Sequence, residues 1–317
     1  MKSKASAPGK VILFGEHFVV YGVKAILCSI NKRISATSQF LDERKVKIRS
    51  VLGEAELSID SLHNSNWRAT RFMKPFFYIV KKALEEHRKN KGIEIVIESQ
   101  IPAGIGLGSS SAACVAVTAS VNGLFERLSK PELVKRAIEA ERIIFREVSG
   151  ADTSVSAFGG LMIYDPNSGF QKISSKNDLD LVIANSSQAH NTQEIVTQVR
   201  AFKERNHDFF NQICKKEDKI VKEALPAIRK NDLNMLGLLM SKNQDLLQKI
   251  KVSTEKIDLL VREAKKTSYG AKITGAGGGG CIISLVDNSN STATINNLKK
   301  ITDCFPVKVD YQGVRYS

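Results

Sequence analysis

The run Gly104-Ile105-Gly106-Leu107-Gly108-Ser109-Ser110-Ser111-Ala112-Ala113 leads without a break into small apolar residues that read as a helix. That junction limits what can be built around it. Glycines let the backbone approach a ligand closely and take positive φ, and the first N–H groups of a helix lack internal partners at the positive end of its dipole. The run therefore outlines an anion site. Its serine hydroxyls can cap the helix, touch phosphate oxygens or ligate magnesium. Upstream, Ile93, Ile95 and Ile97 alternate with Glu94, Val96 and Glu98, a predicted strand that delivers the chain to Pro102 and the loop. A serine-capped strand-to-helix turn would account for this run alone, but other segments argue for more.

Near the N-terminus stand Ala7-Pro8-Gly9-Lys10 and Gly15-Glu16-His17-Phe18-Val19-Val20-Tyr21-Gly22, where charged groups keep unusual apolar company. Near the C-terminus stands Lys272-Ile273-Thr274-Gly275-Ala276-Gly277-Gly278-Gly279-Gly280-Cys281. Between them, Ser149-Gly150-Ala151-Asp152 precedes Val155-Ser156-Ala157-Phe158-Gly159-Gly160. The C-terminal glycines satisfy G-x-G-x-x-G formally, but a strand-like run, Cys281 to Val286, follows them where a dinucleotide fold needs a helix. A Walker A sequence is absent, and so is the protein-kinase signature set. The phosphate-binding element belongs to another class.

With 42% hydrophobic and 25% charged residues among 317, the chain has the composition of a soluble protein of two domains, and no apolar run reaches the roughly 20 residues of a membrane span. Motif residues begin so soon after Met1 that no signal peptide fits, which makes the cytoplasm the simplest location. The five cysteines are odd in number and scattered, which argues against a disulfide framework or zinc site. The net charge of +14 attracts polyanions. Its lysines and arginines are dispersed in small groups among acids, without a nucleic-acid module or an aromatic ladder. A basic surface that steers ATP and a small carboxylate accounts for it better.

Residues 26–29, 34–40, 46–51 and 55–59 are predicted strands. Phe72, Phe76, Ile79, Val80 and Ala83 fall on one face of a predicted helix. Another is predicted from 130 to 148, with Pro131 in its first turn, then a strand from 161 to 164. The stretch 165–178, rich in Ser, Asn and Lys, is the expected boundary between domains 1–170 and 171–317. Beyond it the pattern predicts a strand at 179–183 and a helical stretch from 192 to 250 broken near Pro226 and Asn231. Helix 253–266, strand 271–274, a glycine turn, strand 281–286, helix 292–301 and strand 307–311 follow. A β-rich first half and a helix-rich second half make the class α+β.

Together the motifs resemble those of the GHMP kinases, in order and across nearly the whole chain. The Gly-Glu-His-x-Val-Val-Tyr-Gly form of the first is most similar to the branch acting on mevalonate. The resemblance implies an α+β, two-domain GHMP kinase fold, with a ribosomal protein S5 domain 2-like N-terminal domain and a ferredoxin-like C-terminal one. It implies ATP-dependent phosphorylation of the 5-hydroxyl of (R)-mevalonate, on the route to isoprenoids, with ATP as co-substrate and Mg2+. No nucleic-acid or membrane partner is implied, and there is room for a homodimer. Asp152 would orient the acceptor hydroxyl and take its proton, and Lys10 would pair with Asp152 and stabilise charge on the reacting oxygens. Glu16 and His17 would line the substrate pocket, and Asn191 and Thr192, after His190, would open the C-terminal domain beside it. Gly104, Gly106, Leu107, Gly108, Ser109, Ser110, Ser111 and Ala112 would hold the ATP phosphates, together with Gly277 and Gly278 of the run Gly275 to Gly280 that would close the cleft near them. Ser110 and Glu141, which stands eleven residues before Asp152, would ligate the metal. The adenine segment is expected around Asn64 to Arg71.

This sequence departs from many relatives at Phe145-Arg146-Glu147-Val148, where they carry His-Gly-x-Pro, and at Ser111, where many carry Ala. The second departure leaves open whether Ser110 or Ser111 meets the metal. Another small-molecule kinase of the family, such as one for phosphomevalonate or a different mevalonate hydroxyl, remains the alternative. So does a decarboxylase on the same fold, whose members usually lack a lysine at the Lys10 position. A non-catalytic basic module would leave three glycine motifs and Asp152 without a reason.

Overall fold

The computed structural model describes residues 1–63, 67, 71–102, 104–145, 148–175, 178–189 and 191–317. Strands β1 (Lys2–Phe14) and β2 (Ala25–Leu41) form a long antiparallel pair, joined through a 3-10 turn at His17–Tyr21. Sequence pattern suggests two strands at 26–29 and 34–40, yet β2 runs through both. The polar Asn31-Lys32 is absorbed in a register shift, with Pro8 opposite Arg33 but Gly9 opposite Ile30. Such a bulge bends a strand without ending it.

Strands β3 (Lys45–Ser50) and β4 (Gly53–Ser58) make a hairpin that leads into the short α1 (Ile59–His63). Helix α2 (Lys74–Glu86) buries Phe76, Phe77, Ile79, Val80, Ala83 and Leu84. Phe72, expected on the same face, lies in a 3-10 turn ahead of Pro75 and is 58% exposed. Strand β5 (Gly92–Ser99) pairs antiparallel with β2 and parallel with β3. Helix α3 (Ser109–Asn122) is buried at every position from Ser111 to Asn122, as its small apolar residues on all sides require.

Helix α4 (Lys130–Glu141) starts at a capping box between Ser129 and Glu132 and stops short of the 148 that periodicity suggests. Then comes an element the pattern did not predict, α5 (Ala151–Phe158), begun by Gly150 at φ 77°. Its Thr, Ser and Val content is poor in helix propensity, and burial of Thr153 through Ala157 compensates. Strands β6 (Leu161–Asp165) and β7 (Gly169–Ile173) form a hairpin on the far side of β2, so part of the expected linker 165–178 belongs to the first sheet.

The second sheet is antiparallel throughout, and one of its strands is β8 (Asp180–Asn185). Helices α6 (Thr192–Arg205), α7 (His207–Lys230), α8 (Leu233–Lys249) and α9 (Glu255–Lys265) follow it. Pro226 sits inside α7 and does not break it, because the carbonyl left without its N–H partner belongs to the exposed Lys222. The stretch breaks at Asn206, between α6 and α7, and, as expected, at Asn231-Asp232, between α7 and α8. Strands β9 (Gly270–Thr274) and β10 (Cys281–Val286), α10 (Ser291–Lys299) and β11 (Cys304–Lys308) complete the order β11-β8-β10-β9. Strand β12 (Arg315–Tyr316) then returns to pair with β1 in the first sheet. Buried apolar residues of both sheets form one contiguous cluster. Among the described residues no helix is long and apolar enough to cross a membrane.

The return of the C-terminus is clamped by Asp310, which is 4% exposed. Its carboxylate accepts from Arg33, from Arg315 at 3.2 Å, and from the N–H groups of Gln312 and Gly313 at 3.0 Å each. Removing one partner of such a pair leaves a buried charge uncompensated. Asp310→Ala is therefore expected to lower the free energy of unfolding by about 3–5 kcal/mol, read as a lower denaturant midpoint. A loss below about 1 kcal/mol, the scale of an exposed pair, would refute the clamp.

Candidate active site

Gly104, Gly106 and Gly108 have φ of 75°, 82° and 70°, a region other residues rarely enter, so the glycines of the loop are required by its path. Close approach requires two of them as well. A Cβ on Gly108 would lie 2.7 Å from Lys10 Cγ, and one on Gly9 would lie 2.9 Å from the Leu107 carbonyl oxygen. The loop and β1 are joined directly, Lys10 N–H donating to the Leu107 carbonyl at 2.9 Å. Helix α3 begins at Gly108 without a side-chain cap, so its first N–H groups stay free for a ligand.

Lys10 lies across Gly108 and reaches Asp152, Nζ to Oδ2 3.1 Å. The lysine side chain is 6% exposed and the aspartate 39%, so the cation is enclosed while the carboxylate faces open space. That space is a cavity of about 510 Å3. Its wall includes Lys10, Glu16, His17, Asp152, Gly104, Gly106, Gly108 and all three serines, and, from the second half of the chain, Thr192, Gly275 and Ala276. Val20, Phe72 and Phe145 add apolar wall.

Behind the serines, Glu141 is 3% exposed. It accepts from Ser111 Oγ at 2.7 Å and from Thr153 Oγ1 at 2.6 Å. Burial pushes its carboxyl above the ordinary range, opposed by those two bonds. The residue bonded to Glu141 is thus Ser111, and Ser110 is left facing the cavity. Among the described residues no three His, Cys, Asp or Glu side chains cluster as a metal cage. Mg2+ needs none, because it keeps several waters and takes one or two carboxylates together with substrate phosphates. Ser110 puts a hard oxygen on the cavity wall, and Glu141, which does not itself line the cavity, stands behind it with its two oxygens engaged by Ser111 and Thr153.

On the opposite wall, His17 Nε2 lies 2.7 Å from the Ala276 carbonyl, which fixes the proton on Nε2 and leaves Nδ1 an acceptor. Burial lowers its pKa, which favours this neutral form. Glu16 forms a buried ion pair with Lys272 of β9, both side chains being 1% exposed or less. Beside it, Glu217 of α7 accepts from Gly15 N–H at 2.9 Å and from Asn243 Nδ2 at 2.7 Å. Burial first, and then the charge of Glu16, push Glu217 up to about 7. A carboxyl raised on folding favours the fold fully below its unfolded value of 4.5, and that contribution is lost as pH rises to about 7. Glu217→Gln cannot ionise, so its melting temperature should fall less than the parent's across that window. Parallel curves would refute the shift.

Other expected residues lie elsewhere. Leu107 and Ala112 are buried behind the loop. Asn191 caps α6, accepting from Gln193 N–H at 3.0 Å and donating to Glu194 at 2.9 Å, and does not line the cavity. Of the run Gly275 to Gly280, Gly275 and Ala276 line the cavity, while Gly277 and Gly278 pack against Val252 and Ile195, where added Cβ atoms would each lie 2.3 Å from a neighbour. His190 and, apart from Trp67 and Arg71, the adenine segment from Asn64 lie outside the described residues. Thr153, Lys272 and Glu217 escaped the sequence reading. Lys272 opens the glycine motif and was legible as a marked position, whereas nothing distinguishes Glu217 within a charged helix.

The profile of the GHMP kinases N terminal domain matches residues 75–160, and that of the GHMP kinases C terminal domain matches 224–301. The chain is 35% identical over 305 residues to a mevalonate kinase from Pyrococcus furiosus, covering 91% of this chain and 90% of that one. The crystal structure of the Methanococcus jannaschii mevalonate kinase superposes with a TM-score of 0.86 at 30% identity, covering 97% and 98% of the two chains. That of the L. major mevalonate kinase in complex with R-mevalonate does so with 0.81 at 25% identity, covering 97% and 95%.

Proposed function

The chain belongs to the GHMP kinases, and we propose that it transfers the γ-phosphoryl group of ATP to the 5-hydroxyl of (R)-mevalonate. The observation that carries this reading is the Lys10–Asp152 pair facing the glycine-serine loop across one cavity. Phosphoryl transfer asks a protein for positioning and electrostatics more than for covalent chemistry. The uncapped N–H groups of α3 and the Gly104–Gly108 backbone hold the phosphates. Asp152 accepts the proton of the 5-hydroxyl as its oxygen bonds to the γ-phosphorus and the bond to the ADP oxygen breaks. Lys10 stabilises the charge that develops there. His17 Nδ1, held as an acceptor by the Ala276 bond, suits the 3-hydroxyl of the substrate. Residues 1–170 supply the loop, Lys10 and Asp152, and residues 171–317 close the cavity with Thr192, Gly275 and Ala276.

Ser110 and Glu141 would hold Mg2+, which when bound neutralises phosphate charge. Glu141→Gln is accordingly expected to raise the magnesium concentration for half-maximal rate about tenfold or more, the usual cost of disturbing a ligand or its support. The KM for mevalonate should move less. An unchanged magnesium titration would remove Glu141 from the metal site.

The substrate is tested by offering mevalonate, phosphomevalonate, homoserine and galactose in parallel with ATP and identifying the product by phosphorus NMR. A single 5-phosphate of mevalonate is expected. Turnover confined to another acceptor would overturn the reading.

A further inference from the structure

The turn Gly15-Glu16-His17 belongs by sequence to the first sheet, yet its polar groups are held by the second half of the chain. Gly15 N–H goes to Glu217, Glu16 to Lys272, and His17 to the Ala276 carbonyl. Next to them Thr274 Oγ1 accepts from Ile12 N–H at 2.8 Å and donates to the Ile12 carbonyl at 3.1 Å. We infer that Lys272 is a positioning residue for the mevalonate side of the cavity, acting through Glu16, whose carboxylate it holds ionised and fixed at the seam between the two sheets.

The argument is electrostatic. Glu16 has one oxygen on Lys272, and its second, Oε2, is buried with no hydrogen-bond partner among the described residues. Burial raises its carboxyl above the ordinary range, so the ionised form depends first on Lys272, whose charge and hydrogen bond oppose that shift most strongly, and less on its own backbone N–H. Two other charged groups face it, Lys10, which supports the ionised form, and Glu217, which opposes it. Lys272 is itself wholly buried and does not line the cavity, so it touches no substrate directly. Its other partner is the Ile273 carbonyl of its own strand, at 2.5 Å, so the side chain through which it reaches the cavity is Glu16. The glycine-serine loop, on the other wall, is anchored to the Lys10 backbone N–H through its Leu107 carbonyl, a bond in which Lys272 has no part.

This rests on the proposed substrate, and the test separates the two. Lys272→Met, Glu16→Gln and the double variant are compared with the parent for KM of mevalonate, KM of ATP, pH profile and thermal unfolding. Lys272→Met should raise the mevalonate KM about 10- to 100-fold, the scale of a buried charged group left without its partner, with the ATP KM within about twofold. The acid limb of its kcat/KM profile should move to higher pH, since Glu16 without the cation keeps a proton longer. The double variant should be no worse than Glu16→Gln alone in KM, and should melt higher than Lys272→Met. Equal changes in both KM values, single effects that multiply in the double variant, or a lower melting temperature with parental KM would each overturn the inference. Should Lys272→Met fail to fold, recovery of folding by adding Glu16→Gln supports the pairing, and no recovery refutes it. Absence of mevalonate turnover in the parent would sink the proposed substrate alone, because the unfolding comparison reads the Glu16–Lys272 coupling without any substrate.

Discussion

Asp152→Asn should leave a folded protein that binds ATP normally and turns over about 10² to 10⁴ times more slowly, the range associated with losing a positioned general base. The amide keeps the shape of the carboxylate, and Asp152 is half-open to the cavity, so packing should hardly notice the change. What is lost is the acceptor for the hydroxyl proton and the anionic partner of Lys10. Neither loss touches the loop, whose contacts run through the Lys10 backbone N–H and the Leu107 carbonyl. Nucleotide affinity, measured by calorimetry, should therefore stay within about twofold while kcat collapses. Parental turnover in this variant would remove Asp152 from the chemistry. A parallel fall in ATP affinity would make it a phosphate-site residue instead.

How legible the site was depended on the range of the interaction. The glycine-serine loop could be read directly because positive φ at Gly104, Gly106 and Gly108 and a helix starting at Ser109 are local demands, written in neighbouring residues. Lys10 could be named only through its motif, since its burial depends on Gly108 and Asp152, far along the chain. Helix α5 was hidden because Thr153, Ser154, Val155 and Ser156 are weak helix formers whose burial between other elements decides the matter. The choice between Ser110 and Ser111 was illegible for a simpler reason. One residue along a helix is about 100° of rotation, and only the structure shows which hydroxyl turns inward to Glu141.

The seam residues lay furthest out of reach. Lys272 meets Glu16 across 256 positions and Glu217 meets Gly15 across 202, and no periodicity carries that information. The roles within the run Gly275 to Gly280 were out of reach for the same reason. A run of glycines announces close approach, but what approaches Gly277 is the Val252 carbonyl and what approaches Gly278 is Ile195. Only the start of the run, Gly275 and Ala276, reaches the cavity.

Lys10→Met is expected to cost roughly 10² to 10³ in kcat, the scale on which one preorganised electrostatic stabiliser acts. Methionine keeps most of the aliphatic stem that lies over Gly108, so the packing of β1 against the loop should survive. The backbone bond to Leu107 is unaffected. What disappears is a cation that is 6% exposed and therefore acts in a medium where its field is weakly screened. Charge on the transferring phosphoryl oxygens and on Asp152 then develops without compensation. The KM for ATP should rise less than kcat falls, because the loop backbone still holds the phosphates. A lysine with a merely structural part would give the reverse pattern, a lower melting temperature with a near-normal rate per folded molecule. Product analysis closes the argument: 5-phosphomevalonate from the parent protein fits a cation serving phosphoryl transfer, whereas an alkene and carbon dioxide from diphosphomevalonate would place the chain with the decarboxylases of the same fold.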